Sequence, residues 1–167
     1  MTYLVTFSCY GCHFHGDERG SVDRRHNQVG SRALPEQPAL RRFERGEMRE
    51  APYVLDTRRR EIVLEAVLDV CGGRGWSLFA AHIRRDHVHL VVSTESRPKQ
   101  VVGDLKAYAS RALTVSGLDG ARSRRWTRGG SVRRLSSAAA RARAVDYVLG
   151  GQGTPMAVYV ARGERAT

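Results

Sequence analysis

The stretch His87-Val88-His89-Leu90-Val91-Val92 is the part of the sequence that indicates the fold most clearly. Its run of β-branched and apolar residues predicts a strand. Because residues two apart on a strand point to the same side of a sheet, His87 and His89 project together from one face. Val88, Leu90 and Val92 project from the other face into the core. Two adjacent imidazoles offer two nitrogen ligands to a divalent metal ion. The alternative is a pair of strand histidines with no shared role.

The segments around this strand predict a small sheet. Trp76 to Ile83 has the composition of a second strand, and the turn Arg84-Arg85-Asp86 joins it to the strand His87–Thr94 as a hairpin. Tyr3-Leu4-Val5-Thr6-Phe7 predicts an early strand, and Val132 to Leu135 a short late one.

Three helices are predicted between and after these strands. The first begins at Asp56 or Thr57 and ends at Gly72-Gly73. The second begins at Pro98 and ends before Gly117. Ser136 or Ser137 caps the third, which runs to about Leu149 and is stopped by Gly150-Gly151.

The order of elements predicts an α+β fold of the ferredoxin-like (RRM-like) kind. In that arrangement helices cover one face of an antiparallel sheet, the His-x-His strand is central, and the other face is left for a site. The length of 167 residues favours one domain, 1–167. Residues 11 to 53, rich in glycine, proline and charge, are expected to form a loop-rich insertion.

The chain is strongly basic, with a formal net charge of +11. It has 28 lysines and arginines, and only Lys99 and Lys106 are lysines. Arginine favours bidentate contacts to phosphate, so the excess predicts a polyanionic partner. A codon supply that favours arginine would explain the ratio of arginine to lysine, but not the net excess of positive charge.

Several classes of protein are excluded by composition. No apolar run reaches the roughly 18 residues of a membrane span, and the first ten residues lack the pattern of a secretory signal. Three cysteines do not suggest a disulfide framework. A cytoplasmic protein without a membrane partner is therefore expected.

Tyr147, near the end of the last predicted helix, is the candidate nucleophile. A tyrosine beside a metal ion can attack the phosphorus of a phosphodiester and form a covalent phosphotyrosine, while the metal stabilises charge on the oxygens. Gln152 can add a neutral oxygen ligand. The alternatives are a packing role for Tyr147 and Tyr108 as the nucleophile.

In several ordered stretches the sequence resembles the single-tyrosine HUH transposases, the insertion-sequence two-hundred type and the REP-associated tyrosine transposases. His87-Val88-His89 matches the His-hydrophobic-His motif that gives HUH its name. The other matching stretches are Tyr3–Phe7 with Tyr10-Gly11, His15–Arg24 with His26-Asn27, Lys106–Arg111, Trp126–Ser131, and Tyr147–Leu149 with Gln152-Gly153.

This resemblance implies a ferredoxin-like catalytic core with Mg²⁺ or Mn²⁺ at the His pair and Tyr147 as nucleophile. It also implies single-stranded DNA with hairpins as substrate, a 5′-phosphotyrosine with a free 3′-OH as product, and, as in many members, a homodimer. In the best-known members the polar ligand lies four residues after the tyrosine, where this chain has Gly151. Gln152 lies five after, about 140° further round a regular helix, so the helix must unwind at Gly150-Gly151 for it to serve.

The DNA contacts are expected in the charged loop near His15–Asn27, the basic turns and the Trp126–Ser131 segment, where Trp126 can stack on an unpaired base. The expected residues are Arg19, Arg24, Arg25, Arg84, Arg85, Lys106, Arg111, Trp126, Arg128, Arg133 and Arg134. The other arginine pairs, in Arg58-Arg59-Arg60 and Arg124-Arg125, suggest further contacts to phosphate.

Two competing interpretations remain. Cys9-Tyr10-Gly11-Cys12-His13 resembles a haem-attachment pattern, and together with His15 it resembles a zinc site. Ordinary thiols are favoured because no second pair of ligands follows at the spacing of a zinc finger.

A non-catalytic nucleic-acid-binding module of the same fold is the alternative function. The strand His87–Thr94 lacks the aromatic residues that such modules use to stack bases.

Overall fold

A computed structural model describes residues 1–12, 38–120, 122 and 124–163. Its centre is a five-stranded sheet with strand order β4-β1-β3-β2-β5, in which all neighbouring strands are antiparallel. The strands are β1 (Thr2–Ser8), β2 (Ser77–Ile83), β3 (His87–Ser93), β4 (Ser131–Leu135) and β5 (Ala157–Val160). The His-x-His strand, β3, therefore lies in the middle of the sheet, as predicted.

The helices are α1 (Pro38–Gly46), α2 (Thr57–Arg74), α3 (Pro98–Val115) and α4 (Ala138–Leu149). Local chemistry sets their ends. The Asp56 side chain accepts from the backbone N–H of Arg59 and caps α2, and Ser137 caps α4 in the same way. Gly75, which ends α2, has a φ of 66°, a left-handed conformation that glycine adopts without steric cost.

The main core lies between the sheet and helices α2 and α3. Val88, Leu90 and Val92 point into it, together with alternate residues of β1 and the buried stripes of both helices. This is the apolar face that the alternation on β3 predicts.

A second, smaller core lies on the opposite face of the sheet. There Ala144, Val145 and Val148 of α4 pack against Leu4 and Val91. The ferredoxin-like fold is confirmed, with α2 and α3 on one face, but the last helix covers part of the face that was expected to be free. The apolar stripe of a helix predicts that it packs, and does not specify which face of the sheet receives it.

Two elements were not predicted. Strand β5 is four residues long and lies at the edge of the sheet beside β2, too short to stand out as a periodic pattern. Helix α1 lies within the segment that was expected to be loop-rich. The single-domain boundary at 1–167 stays a prediction. Within the described part of the chain, no helix combines the length and apolar character that crossing a membrane requires.

A buried network of charged groups fixes the loop after α3. The Asp119 carboxylate accepts hydrogen bonds from Arg59 Nε at 2.8 Å, Arg125 Nε at 2.6 Å and the Tyr53 hydroxyl at 2.7 Å. Burial raises the pKa of Asp119, but the hydrogen bonds from Arg125, Tyr53 and Arg59 outweigh it and leave that pKa below its ordinary value. Arg59 and Arg125, expected to contact phosphate, are therefore engaged inside the protein.

Candidate active site

His87 and His89 lie side by side on β3, on the face covered by α4. Their ring centroids are 4.6 Å apart, and the rings meet edge to face at 79°. The structure thus brings together the two imidazoles that the strand pattern predicts on one face.

The carboxylate of Asp86 orients the ring of His87. Asp86 ends the turn between β2 and β3, and its Oδ1 lies 2.6 Å from His87 Nδ1. A carboxylate accepts hydrogen bonds, so Nδ1 carries the proton in this contact and Nε2 keeps its lone pair for a metal ion.

Thr6 holds the ring of His89 from the neighbouring strand. The two residues are directly paired in the β1–β3 ladder, and Thr6 Oγ1 lies 2.8 Å from His89 Nδ1. Burial lowers the pKa of His89 to about 3, with further lowering from His87 and His82, while the interaction of the ring with the Gln152 side chain opposes this. His89 is therefore neutral at physiological pH, the form that binds metals.

Tyr147 lies on the last turns of α4 and faces the His pair. Its ring meets the His89 ring edge to face at 77°, with the centroids 5.8 Å apart. The residue is 45% exposed, so a substrate has access to it. The rival Tyr108 lies on α3, packed against the main core on the opposite face of the sheet.

Helix α4 ends at Leu149, so Gln152 lies beyond it in a turn. This is the unwinding at Gly150-Gly151 that Gln152 would need to serve as a ligand. The side chain of Gln152 lies beside the His89 ring and interacts with it. The three predicted metal ligands and the predicted nucleophile thus come together at one place.

The donor set fits a divalent cation. With both Nδ1 atoms held by Asp86 and Thr6, the Nε2 atoms of His87 and His89 remain for a metal, and Gln152 offers an amide oxygen. Among the described residues no three His, Cys, Asp or Glu side chains gather as a closed metal cage. Two imidazoles and an amide leave coordination positions for water or substrate, which is typical of catalytic rather than structural metal sites.

The predicted DNA contacts near the β2–β3 turn differ in their surroundings. Arg85 is exposed in the turn beside the His pair. Arg84 is half-buried, and its guanidinium donates to the carbonyl of Thr154 at 2.7 Å, so it also supports the turn that follows Gln152.

The predicted contacts on β4 point in opposite directions. Arg133 pairs with Leu4 and shares the face of the His pair, whereas Arg134 pairs with Tyr3 and shares the face of α2 and α3. Both side chains are exposed, as are Arg111, which lies over the ring of Tyr108, and Arg128. Arg19, Arg24 and Arg25 lie outside the described residues, as does His13 of the possible zinc site.

Lys106 and Trp126 have structural contacts that were not foreseen. The Lys106 ammonium donates to the carbonyls of Thr127, at 2.7 Å, and of Gly129, and burial lowers its pKa to about 8. The Trp126 ring packs edge to face on Phe7 and donates from Nε1 to Ser110 Oγ at 2.9 Å. The ring is therefore partly buried and packed against the core, and its stacking on an unpaired base stays a prediction.

Sequence reasoning missed the residues that orient the site. Asp86 is adjacent to the motif and could have been noticed as a carboxylate beside a histidine. Thr6 and His82 become visible only when the strand register is known, because they reach the site from neighbouring strands.

The model of the family described as "Transposase IS200 like" matches residues 49–148, which include the His pair and Tyr147 but stop before Gln152. No curated protein matches the chain.

Two solved structures are similar to the chain. One is a REP-associated tyrosine transposase bound to a REP hairpin, with a TM-score of 0.50 and 12% identity over 89% of this chain. This chain spans 64% of that one, and at such low identity the likeness shows the fold alone. The other, a candidate transposase from Deinococcus radiodurans R1, is 14% identical with a TM-score of 0.46, covering 89% of this chain and 88% of that one.

The family match covers more than half of the 167 residues and contains the strand and the helix that form the site. The chain belongs to the family of IS200-like transposases.

Proposed function

We propose that this protein cuts and rejoins single-stranded DNA through a covalent bond to Tyr147, as a metal-dependent transesterase. One observation carries the proposal: the exposed tyrosine of α4 faces His89 across 5.8 Å, on the face that also presents His87 and Gln152. The proposed nucleophile therefore lies beside the proposed metal ligands, at a place that solvent and substrate can reach.

The reaction exchanges one phosphodiester for another. The Tyr147 oxygen attacks phosphorus, the bond from phosphorus to the 3′ oxygen breaks, and the products are a 5′-phosphotyrosine and a free 3′-OH. The phenol proton passes to solvent, to which Tyr147 is open, and the departing 3′ oxygen takes up a proton. His87, His89 and Gln152 would hold Mg²⁺ or Mn²⁺, which would stabilise the negative charge that develops on the phosphate.

The covalent step is reversible because the bond that forms resembles the bond that breaks. A 3′-OH from a second strand can attack the phosphotyrosine and release Tyr147, so joining needs no nucleotide cofactor. Such an exchange suits transposition, in which strand ends are cut and reconnected.

The proposed substrate is single-stranded DNA that carries a hairpin. The net charge of +11 favours a polyanion. Arg133 is exposed on the face of the sheet that bears the His pair, and Arg85 is exposed in the turn that precedes β3. A protein of the same fold was solved with a REP hairpin bound.

The experiment that tests this function follows a covalent adduct. Labelled single strands with hairpins, drawn from repeats beside the gene, are incubated with the protein and Mn²⁺ and resolved on a denaturing gel. We expect a labelled protein band that requires metal, disappears in Tyr147→Phe and persists in the matched variant Tyr108→Phe. An undiminished band in Tyr147→Phe would overturn the assignment, and DNA binding without any adduct would favour the non-catalytic binding module.

A further inference from the structure

His82 is fully buried between β2 and the end of α4, and both of its ring nitrogens are engaged. Nδ1 lies 2.9 Å from the carbonyl oxygen of Val148, and Nε2 lies 3.1 Å from the backbone nitrogen of Met156. A backbone N–H only donates and a carbonyl only accepts, so the ring carries its proton on Nδ1 and accepts at Nε2. The ring is therefore neutral in this arrangement.

His82 bonds to the carbonyl of Val148, which lies one residue after Tyr147 and one before the end of α4. The preceding carbonyls, of Asp146 and Tyr147, accept from the backbone N–H groups of Gly150 at 2.8 Å and Gly151 at 3.0 Å, as in a regular helix. The next carbonyl, of Val148, would accept from residue 152 if the helix continued. It accepts from His82 instead, so the side chain satisfies a helix-end carbonyl that needs a partner.

This replacement explains how Gln152 reaches the site. A continued helix would carry Gln152 about 140° round from Tyr147, away from the His pair. With Val148 already bonded to His82, the chain is free to turn at Gly150 and Gly151, and the Gln152 side chain comes beside His89.

His82 also holds the C-terminal end of this turn. Its Nε2 accepts from the backbone N–H of Met156, just before β5. On β2, His82 is the residue paired with His89 in the β2–β3 ladder. The His82 ring thus connects three elements: its own strand β2, the end of α4 and the segment that leads into β5.

We propose that His82 is a positioning residue that caps α4 and so holds Tyr147 and Gln152 together at the His pair. The inference rests on the proposed function for its catalytic consequence. Its structural part, the capping of α4, can be measured without any reaction.

Three variants of the full chain test the proposal. His82→Leu removes both hydrogen bonds, and His82→Asn keeps a donor near the position of Nδ1. Leu113→Ala, on α3 in the main core across the sheet, is the control for a general loss of packing. Hydrogen exchange of the amides from 150 to 156 reports the cap, and single-turnover adduct formation at saturating DNA and Mn²⁺ reports the position of Tyr147.

In His82→Leu we expect faster exchange of these amides and adduct formation slower by about 100-fold, the loss that a 1 Å misplacement can cause, with DNA affinity unchanged. His82→Asn should recover part of the rate, and Leu113→Ala should leave both readouts near wild type at a temperature where it is folded. Wild-type exchange in His82→Leu, or no recovery in His82→Asn beyond His82→Leu, would overturn the proposal. If the wild-type protein forms no adduct, the proposed function fails, whereas the exchange data still decide whether His82 caps α4.

Discussion

The ring of Tyr147 meets the ring of His89 edge to face, with 5.8 Å between their centroids. This relationship joins a helix on one face of the sheet to its central strand. It depends on the small core in which Val145 and Val148 of α4 pack against Val91, two residues after His89. The packing of α4 is therefore part of the site, because it sets the distance between the nucleophile and the metal ligands.

Gly151 leaves room for Tyr147, and an added methyl group should displace the tyrosine. A Cβ atom at Gly151 would lie 2.8 Å from the Tyr147 carbonyl oxygen and 2.9 Å from its Cδ2, closer than real side chains approach. We expect Gly151→Ala to lower the rate of adduct formation by at least about tenfold, measured at saturating DNA. Gly150→Ala is the control, since its Cβ would meet Asp146 at an ordinary 3.5 Å. Equal rates in the two variants would contradict this account of the turn.

Asp86 should strengthen metal binding without touching the metal. Its hydrogen bond to His87 Nδ1 fixes the ring and makes Nε2 more basic, so Asp86→Asn is expected to weaken Mn²⁺ binding by about 10- to 100-fold. Isothermal titration calorimetry measures this in the absence of DNA. Asp69→Asn, on the exposed side of α2, makes the same chemical change away from the site. The role given to Asp86 is wrong if both variants bind Mn²⁺ like wild type.

Asp119 should contribute stability that depends on pH. Its pKa is lowered in the folded protein, so its contribution is present above the ordinary value of 3.8 and is lost as the pH falls through the folded value. Removing the charge takes an acidic partner from both Arg59 and Arg125, and we expect Asp119→Asn to reduce the free energy of unfolding at pH 7 by about 3 kcal/mol.

Urea unfolding at pH 7 and at lower pH values measures this contribution. The difference between wild type and Asp119→Asn should shrink below pH 4. A constant difference across that range would show that the carboxylate charge is not the cause. The exposed Asp69→Asn should change stability by less than about 0.5 kcal/mol at either pH.

The exposed arginines near the His pair should govern the salt dependence of DNA binding. Each phosphate contact to a single strand contributes a slope of about −0.7 in log affinity against log salt concentration. Replacing Arg85 or Arg133 by alanine should therefore reduce the slope by about 0.7, measured by fluorescence anisotropy with single-stranded DNA. Arg58→Ala, on α2 at the opposite face, should leave the slope unchanged. A slope near zero for wild type would leave codon supply as the explanation for the excess of arginine.

The strands and helices that build the site could be predicted because their signals are local. The alternation of side chains along β3 places His87 and His89 on one face of the sheet and Val88 on the other. The glycines at 150 and 151 end α4, the helix that carries Tyr147. The face on which α4 packs could not be predicted, since an apolar stripe fits either side of a sheet. His82 was missed for a related reason: its partners are 66 and 74 residues away in sequence. Trp126 and Arg125 were assigned to DNA from their chemistry alone, and tertiary contacts engage both.

Peptide mapping of the covalent adduct tests the central claim most directly. The protein is reacted with a hairpin-bearing single strand and Mn²⁺, the DNA is digested, and trypsin releases peptides for tandem mass spectrometry. The account predicts a nucleotide on the peptide that begins at Ala144, with fragment ions placing it on Tyr147 rather than on Tyr159 of the same peptide. A nucleotide on Tyr108, or on any residue other than Tyr147, would contradict it.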